Sequence, residues 1–272
     1  MSDHEERRVG PQHMPEGLTL PIHGPDFPRA EPELIEQLSR VSAATAAAGL
    51  HGMGVRQSFI QGPVQRLPGT SIIGTAVTLQ FMPQREDIAS GIGQEHAEKV
   101  SALWRVLDEI RPGDVLVVQA YGDRYTGCLG EMLITYLKGR GGVGLVVDAC
   151  IRDWPKVRDI GLPLWTVGAT PHYASQASLF PWAYNVPVAV SRVLAMPGDI
   201  VIADDDGAVI VPRKMAGDLA VGTTAHEEWE EFSRLRLAEG GSISTYYPLS
   251  EEGQREYEQW RADQDRAEQE ST

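Results

Sequence analysis

Hydrophobic and polar residues follow two spacings along this chain, one typical of helices and one typical of buried strands. Both occur between Thr126 and Asp153, which read T-G-C-L-G-E-M-L-I-T-Y-L-K-G-R-G-G-V-G-L-V-V-D-A-C-I-R-D. A glycine-punctuated turn precedes an apolar-periodic segment, and glycines then lead to the continuous apolar run Leu145 to Val147. This order predicts a loop, a helix, a turn and a strand. The apolar positions of the helix are Met132, Leu133, Tyr136 and Leu137.

The same reading along the rest of the chain predicts an α/β fold with a central sheet layered by helices. Asp114 and Asp199 each follow Pro-Gly and are expected to stabilise turns, and Asp204 to Gly207 is expected to be a hairpin turn. The aromatic segment Ala177 to Val190 is predicted to be irregular. It could form a lid over the pocket or a subunit interface, and its aromatic content favours the interface. Helices are predicted at Glu31–Leu50, Gln94–Ile110 (with Trp104 on its apolar face), Lys214–Leu237 and Glu251–Ala267, and strands at Gly69–Gln80, after Asp114, and at Gly161–Gly168.

Composition narrows the class of protein. The chain has 272 residues, 42% of them hydrophobic and 23% charged, as expected of a globular protein. A net charge of −14 argues against a broad nucleic-acid-binding face, because phosphate contacts need clustered Lys and Arg. No apolar run reaches the length of a membrane span and the N-terminus lacks a signal peptide's apolar segment, so we expect a cytoplasmic protein with no membrane partner. Cys128 and Cys150 are expected to be reduced packing residues.

Charged residues follow the predicted strand at once, as Arg152 and Asp153. In open α/β sheets, ligands bind at the carboxyl ends of the strands. The loop Gly127 to Glu131 precedes a helix, and helix N-termini present free backbone N–H groups to anions. Glu131, Arg152 and Asp153 could therefore converge on one small anionic substrate and a hard metal ion.

These residues also carry a resemblance to a known family. G-E-M-L at 130–133, G-V-G-L-V-V-D-A at 142–149 and R-D at 152–153 resemble the RraA-like proteins, with twenty residues separating Glu131 from Arg152. Downstream matches are G-L-P-L-W at 161–165 and P-G-D-I-V-I-A-D-D-D-G-A-V-I-V-P at 197–212. The family includes class II 4-hydroxy-4-methyl-2-oxoglutarate/4-carboxy-4-hydroxy-2-oxoadipate aldolases and the regulators of ribonuclease activity named RraA. It implies a swivelling β/β/α-like domain, here residues 31–215. Composition and spacing predict an irregular arm before it (1–30) and a helical extension after it (216–272).

The resemblance also implies a chemistry for the candidate site. Asp153 would be the protein's ligand for Mg²⁺ or Mn²⁺, and Arg152 would hold the oxygens of a 2-oxo acid. The loop of Gly130, Glu131, Met132 and Leu133 would bind the substrate carboxylate. Glu131 would position or deprotonate the water or hydroxyl that starts a retro-aldol cleavage to pyruvate. Oxaloacetate decarboxylation could share the site, and the family implies a homotrimer or a homohexamer.

Several alternatives stay open on the sequence alone. Arg152 and Asp153 could be a salt-bridged pair with Asp153 as the N-cap of the next helix. A Schiff-base aldolase would use a lysine of lowered pKa, for which Lys138 and Lys156 are the nearest candidates. A different class of function is a non-catalytic protein that binds and regulates a ribonuclease. Other polar residues are more typical of solvated surface than of a site, namely Arg85, Glu86, Asp87 and His172 in loops and His96 in a predicted helix.

Overall fold

The structure is a computed structural model that describes residue 17 and residues 19–85, 101–174 and 179–270. Predictions for Glu86, Asp87, His96 and the segment 94–100 lie outside these residues. The strands, in chain order, are β1 (Ile22–His23), β2 (Phe59–Ile60), β3 (Val64–Gln65), β4 (Ile72–Pro83), β5 (Asp114–Gln119), β6 (Gly144–Ile151), β7 (Leu164–Ala169), β8 (Leu179–Tyr184), β9 (Val188–Val190), β10 (Val193–Ala195), β11 (Ile200–Asp204) and β12 (Gly207–Val211). The helices are α1 (Pro32–Leu38), α2 (Ala43–Gly52), α3 (Ala102–Glu109), α4 (Glu131–Gly139), α5 (Trp154–Ile160), α6 (Ala216–Ala238), α7 (Ile243–Tyr246) and α8 (Glu251–Glu270), with a 3₁₀ turn at Arg213–Met215.

Four parallel strands form the centre of the main sheet. β4, β5, β6 and β7 lie side by side in that order. Antiparallel strands extend the sheet to the order β2-β12-β11-β4-β5-β6-β7-β3, and β8 joins β4 to β1. Helices α3, α4 and α5 make the three crossovers between the parallel strands. Because parallel strands end at the same edge of a sheet, the loops after β5, β6 and β7 meet there.

The two faces of this sheet carry different layers. Side chains alternate along β5, so that Leu116 and Val118 pack in one buried cluster and Val115 and Val117 pack in the other. The first cluster contains residues of α3, α4 and α5, and the second contains the antiparallel hairpin of β9 and β10. The architecture is therefore a helix layer, a main sheet and a small second sheet. This confirms the predicted α/β fold of the β/β/α type.

The predicted helix from Glu31 to Leu50 is in fact two helices, α1 and α2. The hydroxyl of Ser42 accepts a hydrogen bond from the backbone N–H of Thr45 at 3.0 Å, so Ser42 caps a new helix start. The prediction of one helix was wrong because the apolar spacing continues through the break. The apolar spacing of the helix ending at Ile110 placed Trp104 on the apolar face, but Trp104 is 39% exposed.

The segment predicted as irregular between Ala177 and Val190 forms strands where it is described. In β8, Leu179, Pro181 and Ala183 are buried and the intervening residues are less so. This strand lies antiparallel to β4 and parallel to β1. The prediction was wrong because prolines and aromatic residues hid a period of two.

The predicted turns are confirmed. β11 and β12 are antiparallel and Asp204 lies opposite Gly207, as a hairpin requires. The carboxylate of Asp114 accepts the N–H of Arg111 at 2.8 Å. That of Asp199 accepts the N–H of Met196 at 2.9 Å.

The chain divides into two compact units, of which the first ends at Leu219 and the second starts at Ala220. In the second unit, aromatic rings form the packing. Phe232 lies 6.0 Å from Tyr246 and 5.7 Å from both Tyr257 and Trp260, measured between ring centroids. Within the described residues, no helix is both long enough and apolar enough to span a membrane.

Candidate active site

The loop that follows β5 lies against the end of β6. The N–H of Cys128 donates to the carbonyl of Cys150 at 2.9 Å, and the N–H of Gly127 donates to the carbonyl of His172 at 2.9 Å. A Cβ on Gly127 would lie 2.5 Å from that carbonyl oxygen, which is closer than atoms can approach. Glycine at this position therefore lets the loop join β6 and the loop after β7 at one edge of the sheet.

The candidate metal ligand Asp153 stands between β6 and α5. Its backbone is left-handed, with φ 60° and ψ 33°, a conformation that costs energy for a residue other than glycine. One carboxylate oxygen, Oδ2, accepts hydrogen bonds from Arg152 Nε at 3.2 Å and from the N–H of Glu131 at 3.3 Å. The side chains of Arg152 and Asp153 are each 36% exposed. The loop and the strand end thus bring all three predicted residues together.

The same carboxylate tests the alternative that Asp153 caps the next helix. Asp153 occupies the position before α5, but its side chain makes no hydrogen bond to the helix N–H groups. The ion pair with Arg152 that this alternative also predicted is present. The carboxylate is directed across the loop to Glu131, which a capping role does not require.

Glycine at position 130 leaves room for the Asp153 carboxylate to reach the N–H of Glu131. A Cβ there would lie 2.6 Å from Oδ2 of Asp153 and 3.0 Å from Cγ of Arg152. Gly130 directly precedes α4, whose first N–H groups have no acceptor within the helix. The predicted substrate-binding residues Met132 and Leu133 lie in that first turn. Met132 is 74% exposed, although it is one of the apolar positions of the helix.

Glu131 is paired with a lysine. Nζ of Lys156 donates to Oε2 of Glu131 at 2.8 Å, and the lysine side chain is 70% exposed. The hydrogen bond to Glu131 raises the pKa of Lys156 above its ordinary value, and the charge of Glu131 acts in the same direction. The ammonium is therefore charged at neutral pH. Sequence reasoning named both residues but missed their contact.

Arg152 is oriented by two neighbours. Its guanidinium carbon lies 5.7 Å from the centroid of the Tyr173 ring, and its Nε is held by Asp153. Within the described part of the chain, the two terminal nitrogens make no hydrogen bond to the protein. They keep the forked geometry with which arginine binds a carboxylate. The sequence placed Tyr173 in a loop that could approach a pocket but did not indicate which residue it contacts, because only the fold brings this loop to Arg152.

Two further aspartates stabilise the loops of the site. Oδ1 of Asp123 accepts the N–H groups of Tyr125 at 2.7 Å and Thr126 at 2.6 Å. The buried carboxylate of Asp148 accepts the N–H of Ser191 at 3.0 Å and that of Ala120. Burial raises the pKa of Asp148, although these hydrogen bonds act against the rise. The sequence signal that could have identified Asp148 is an acidic residue inside an otherwise apolar strand.

The cysteines are free and buried, which confirms the packing prediction. Burial raises the pKa of Cys128 well above its ordinary value, so the reactive thiolate is disfavoured. The lysines argue against a Schiff base. Nζ of Lys138 donates to the carbonyl of Ile160, and Lys156 has a raised pKa where a Schiff-base lysine needs a lowered one.

The residues present fit a divalent ion of the magnesium type. Magnesium prefers oxygen ligands and is commonly held by one or two carboxylates together with waters and substrate oxygens. Oδ1 of Asp153 accepts no hydrogen bond from the described residues, and the carboxylate is half exposed. The described residues contain no group of three or more His, Cys, Asp or Glu side chains placed to bind a metal. The donor set therefore suits a hard ion that shares its coordination with the substrate, and it does not suit a closed structural zinc site.

The class of protein to which this fold belongs follows from a family match over most of the chain. Residues 34–210 match the family described as RraA-like: Aldolase/RraA. The chain belongs to this family.

Particular relatives within the family differ in what their names say. The crystal structure of Streptomyces coelicolor RraAS2, described as an unusual member of the RNase ES inhibitor RraA protein family, is 55% identical with a TM-score of 0.71. It covers 78% of this chain and 100% of that one. A Halalkalibacterium halodurans protein provisionally named 4-hydroxy-4-methyl-2-oxoglutarate aldolase is 27% identical over 68% of this chain and 79% of its own length. A Thermus thermophilus protein named as the same aldolase is 31% identical over 42% of this chain and 68% of its own length.

Proposed function

We propose that this chain is a divalent-metal-dependent lyase that cleaves a 4-hydroxy-2-oxo acid to pyruvate and a second oxo compound. The observation that carries the proposal is the contact of Glu131, Arg152 and Asp153 at the carboxyl end of β6. Relatives named as aldolases support a lyase at the level of the family. Decarboxylation of oxaloacetate is a second reaction that the same groups can support.

Arg152 has the geometry to bind the reacting end of such a substrate. Its two terminal nitrogens are available within the described residues, and Tyr173 covers one face of the guanidinium. A 2-oxo acid presents a carboxylate oxygen and a ketone oxygen side by side, which matches this fork. The positive charge of Arg152 also offsets the negative charge that grows on the ketone oxygen as the bond between C3 and C4 breaks.

Asp153 is the residue that would hold the metal. A divalent ion bound there would supply Lewis-acid polarisation of the substrate ketone. Arg152 and the N–H of Glu131 fix the Asp153 carboxylate through Oδ2, which leaves Oδ1 for a ligand. Hydrogen bonds of this kind orient a metal-binding carboxylate and are part of what sets its affinity.

Glu131 is placed to act on the hydroxyl of the substrate. Its Oε2 is held by Lys156, and its Oε1 accepts no hydrogen bond from the described residues. A carboxylate oxygen of this kind can accept the proton of the 4-hydroxyl group, directly or through one water, as the hydroxyl becomes a carbonyl. The backbone N–H groups at the start of α4 add donors for the carboxylate of the substrate.

Pyruvate release tests the proposal. The substrates are 4-hydroxy-2-oxoglutarate, its 4-methyl derivative and oxaloacetate, each with Mg²⁺ and with EDTA. We expect release that needs the metal, and a loss of about 10²- to 10³-fold in kcat/KM for Arg152→Ala, in line with the removal of one charge-stabilising donor. The matched control is Arg158→Ala, because Arg158 is exposed and its ion pair among the described residues is with its neighbour Asp159. No release from any substrate by the intact chain would overturn the proposal.

A second function is supported by one specific observation. The similar S. coelicolor protein is described as a member of an RNase ES inhibitor family, and the match covers all of its length. We propose as the alternative that this chain binds and inhibits a ribonuclease of that type through its surface. Cleavage of a standard RNA by RNase ES, with and without this chain, measures the effect. Inhibition that persists in Arg152→Ala, without pyruvate release by the wild type, would favour the binder over the lyase.

A further inference from the structure

The ion pair between Glu131 and Lys156 adjoins Asp153 of the proposed site. Nζ of Lys156 donates to one oxygen of Glu131 at 2.8 Å, so the second oxygen of Glu131 and the remaining N–H groups of the ammonium are available. Both side chains are partly exposed, at 32% for Glu131 and 70% for Lys156. Exposed ion pairs of this kind contribute little to folding stability, so a stability role does not account for the pair.

The pair is also close to the residues that would bind the reacting end. The N–H of Lys156 donates to the carbonyl of Asp153 at 3.0 Å, which places the two residues one turn apart at the start of α5. Residues three apart on a helix have Cβ atoms about 5–6 Å from each other. The N–H of Glu131 contacts the Asp153 carboxylate directly. Asp153 thus contacts both Arg152 and the backbone of Glu131, the residue that pairs with Lys156.

Substrate chemistry matches this arrangement. In a five-carbon 4-hydroxy-2-oxo diacid, C4 carries a hydroxyl group and the second carboxylate. The two carboxylate carbons lie about 5 Å apart in the extended molecule, since four C–C bonds of about 1.5 Å separate them. A carboxylate beside an ammonium is complementary to these neighbouring groups, because the hydroxyl can donate to Glu131 and the second carboxylate can accept from Lys156.

We propose that Lys156 is a specificity-determining residue that binds the second carboxylate of the substrate, while its partner Glu131 binds the hydroxyl on the same carbon. The chain then selects diacids over 4-hydroxy-2-oxo acids that end in a neutral group. This inference rests on the proposed lyase function, whose substrate class it narrows. The exposed Lys156 would contact the part of the substrate that leaves, so its effect falls on selectivity.

Binding of uncleavable analogues tests Lys156 without turnover. Calorimetry in the presence of Mg²⁺ compares 2-oxoglutarate, which has the second carboxylate, with 2-oxopentanoate, which has a methyl group in its place. We expect the wild type to prefer 2-oxoglutarate by about 10- to 100-fold, as one charge-assisted hydrogen bond provides, and Lys156→Met to lose that preference. Lys156→Arg should restore most of it. Lys214→Met is the matched control, because Lys214 is exposed and lies in the 3₁₀ turn away from β6.

Turnover gives the second readout. The ratio of kcat/KM for 4-hydroxy-2-oxoglutarate to that for 4-hydroxy-2-oxopentanoate should fall by about 10- to 100-fold in Lys156→Met, mainly through a higher KM for the diacid. Lys214→Met should keep the wild-type ratio.

The outcomes separate the two proposals. A Lys156-dependent preference for 2-oxoglutarate without any pyruvate release would support the lysine and overturn the lyase. Pyruvate release with a diacid preference that Lys156→Met leaves intact would support the lyase and overturn the lysine. A wild type that neither binds the analogues nor releases pyruvate would overturn both.

Discussion

Asp148 and Asp153 lie five residues apart on the same stretch of chain and have opposite environments. Asp148 is within β6, where it is 1% exposed and accepts backbone N–H groups from two separate loops. Asp153 follows the strand, is 36% exposed, and has one carboxylate oxygen that accepts nothing from the described residues. Both carboxylate oxygens of Asp148 accept hydrogen bonds within the fold. Oδ1 of Asp153 accepts none from the described residues, so it is available for a ligand.

The backbone conformations of the two aspartates also differ. Asp148 lies within β6, at the point where its pairing with β7 shifts register, and does not have a positive φ, whereas Asp153 is held at a φ of 60°. A left-handed aspartate persists only where the surrounding contacts stabilise it, and such positions cluster at functional sites. We infer that Asp148 contributes chiefly to stability and Asp153 chiefly to activity.

The largest expected effect is on activity and comes from Asp153→Asn. Loss of the charged oxygen should lower metal-dependent pyruvate release by about 10³-fold, because Lewis-acid stabilisation amounts to several kcal/mol. The free energy of unfolding should change by less than about 1 kcal/mol, as for a half-exposed ion pair. Asp159→Asn, on the exposed side of the same helix, is the control for activity. An Asp153→Asn variant with a much lower free energy of unfolding but unchanged turnover would reverse the roles assigned to the two aspartates.

Asp148→Ala should act on stability. The substitution leaves the buried N–H of Ala120 without an acceptor, at about 1–3 kcal/mol, and also removes the acceptor of the partly buried N–H of Ser191. We expect the free energy of unfolding to fall by about 3 kcal/mol, measured by urea denaturation. The control is again at Asp159, where replacement by alanine should cost less than about 0.5 kcal/mol. A loss confined to the exposed site would contradict the structural role of Asp148.

A smaller effect is expected from Gly130→Ala, which perturbs Asp153 without removing it. The new Cβ would lie 2.6 Å from Oδ2, so the carboxylate must move, while the helix behind it can stay in place. We expect pyruvate release to fall by about 10- to 100-fold and the free energy of unfolding to fall by less than about 1 kcal/mol. Gly139→Ala in the same helix is the matched control, since a Cβ there meets open space. Equal activity of both variants would show that the Asp153 orientation is unimportant.

The smallest expected effect is a pH dependence at Asp148. Burial raises the pKa of this carboxyl in the folded state, so the folded protein binds its proton at a higher pH than the unfolded chain does. Stability arising from Asp148 should therefore increase as the pH falls through the raised pKa, and it should level off below the ordinary carboxyl pKa of the unfolded chain. Denaturation of wild type and Asp148→Asn at several pH values measures it, because the asparagine does not titrate. A wild type that loses stability relative to Asp148→Asn on acidification would give Asp148 a lowered pKa instead.

Much of the parallel core was predictable from local patterns. The run Leu145 to Val147 is a strand, and the glycines on either side of α4 mark its limits. The same patterns failed for β8, where prolines and aromatic residues hid the alternation, and at Ser42, where one capping side chain divides a helix. Apolar spacing indicates which residues lie on the same face of a helix or strand. Strand pairing depends on partners that are distant in sequence, and a helix cap depends on a single side chain, so spacing does not predict either.

The sequence by itself determined the class of fold, the hairpin at Asp204 to Gly207, and the candidacy of Glu131, Arg152 and Asp153. Those features rest on local spacing and on turn residues, which act over a few positions. Only the tertiary structure decided that Lys156 pairs with Glu131, that Tyr173 covers Arg152, and that Asp148 joins two loops. These contacts arise where parallel strands end at one edge, since chain segments far apart in sequence meet only after the sheet has formed.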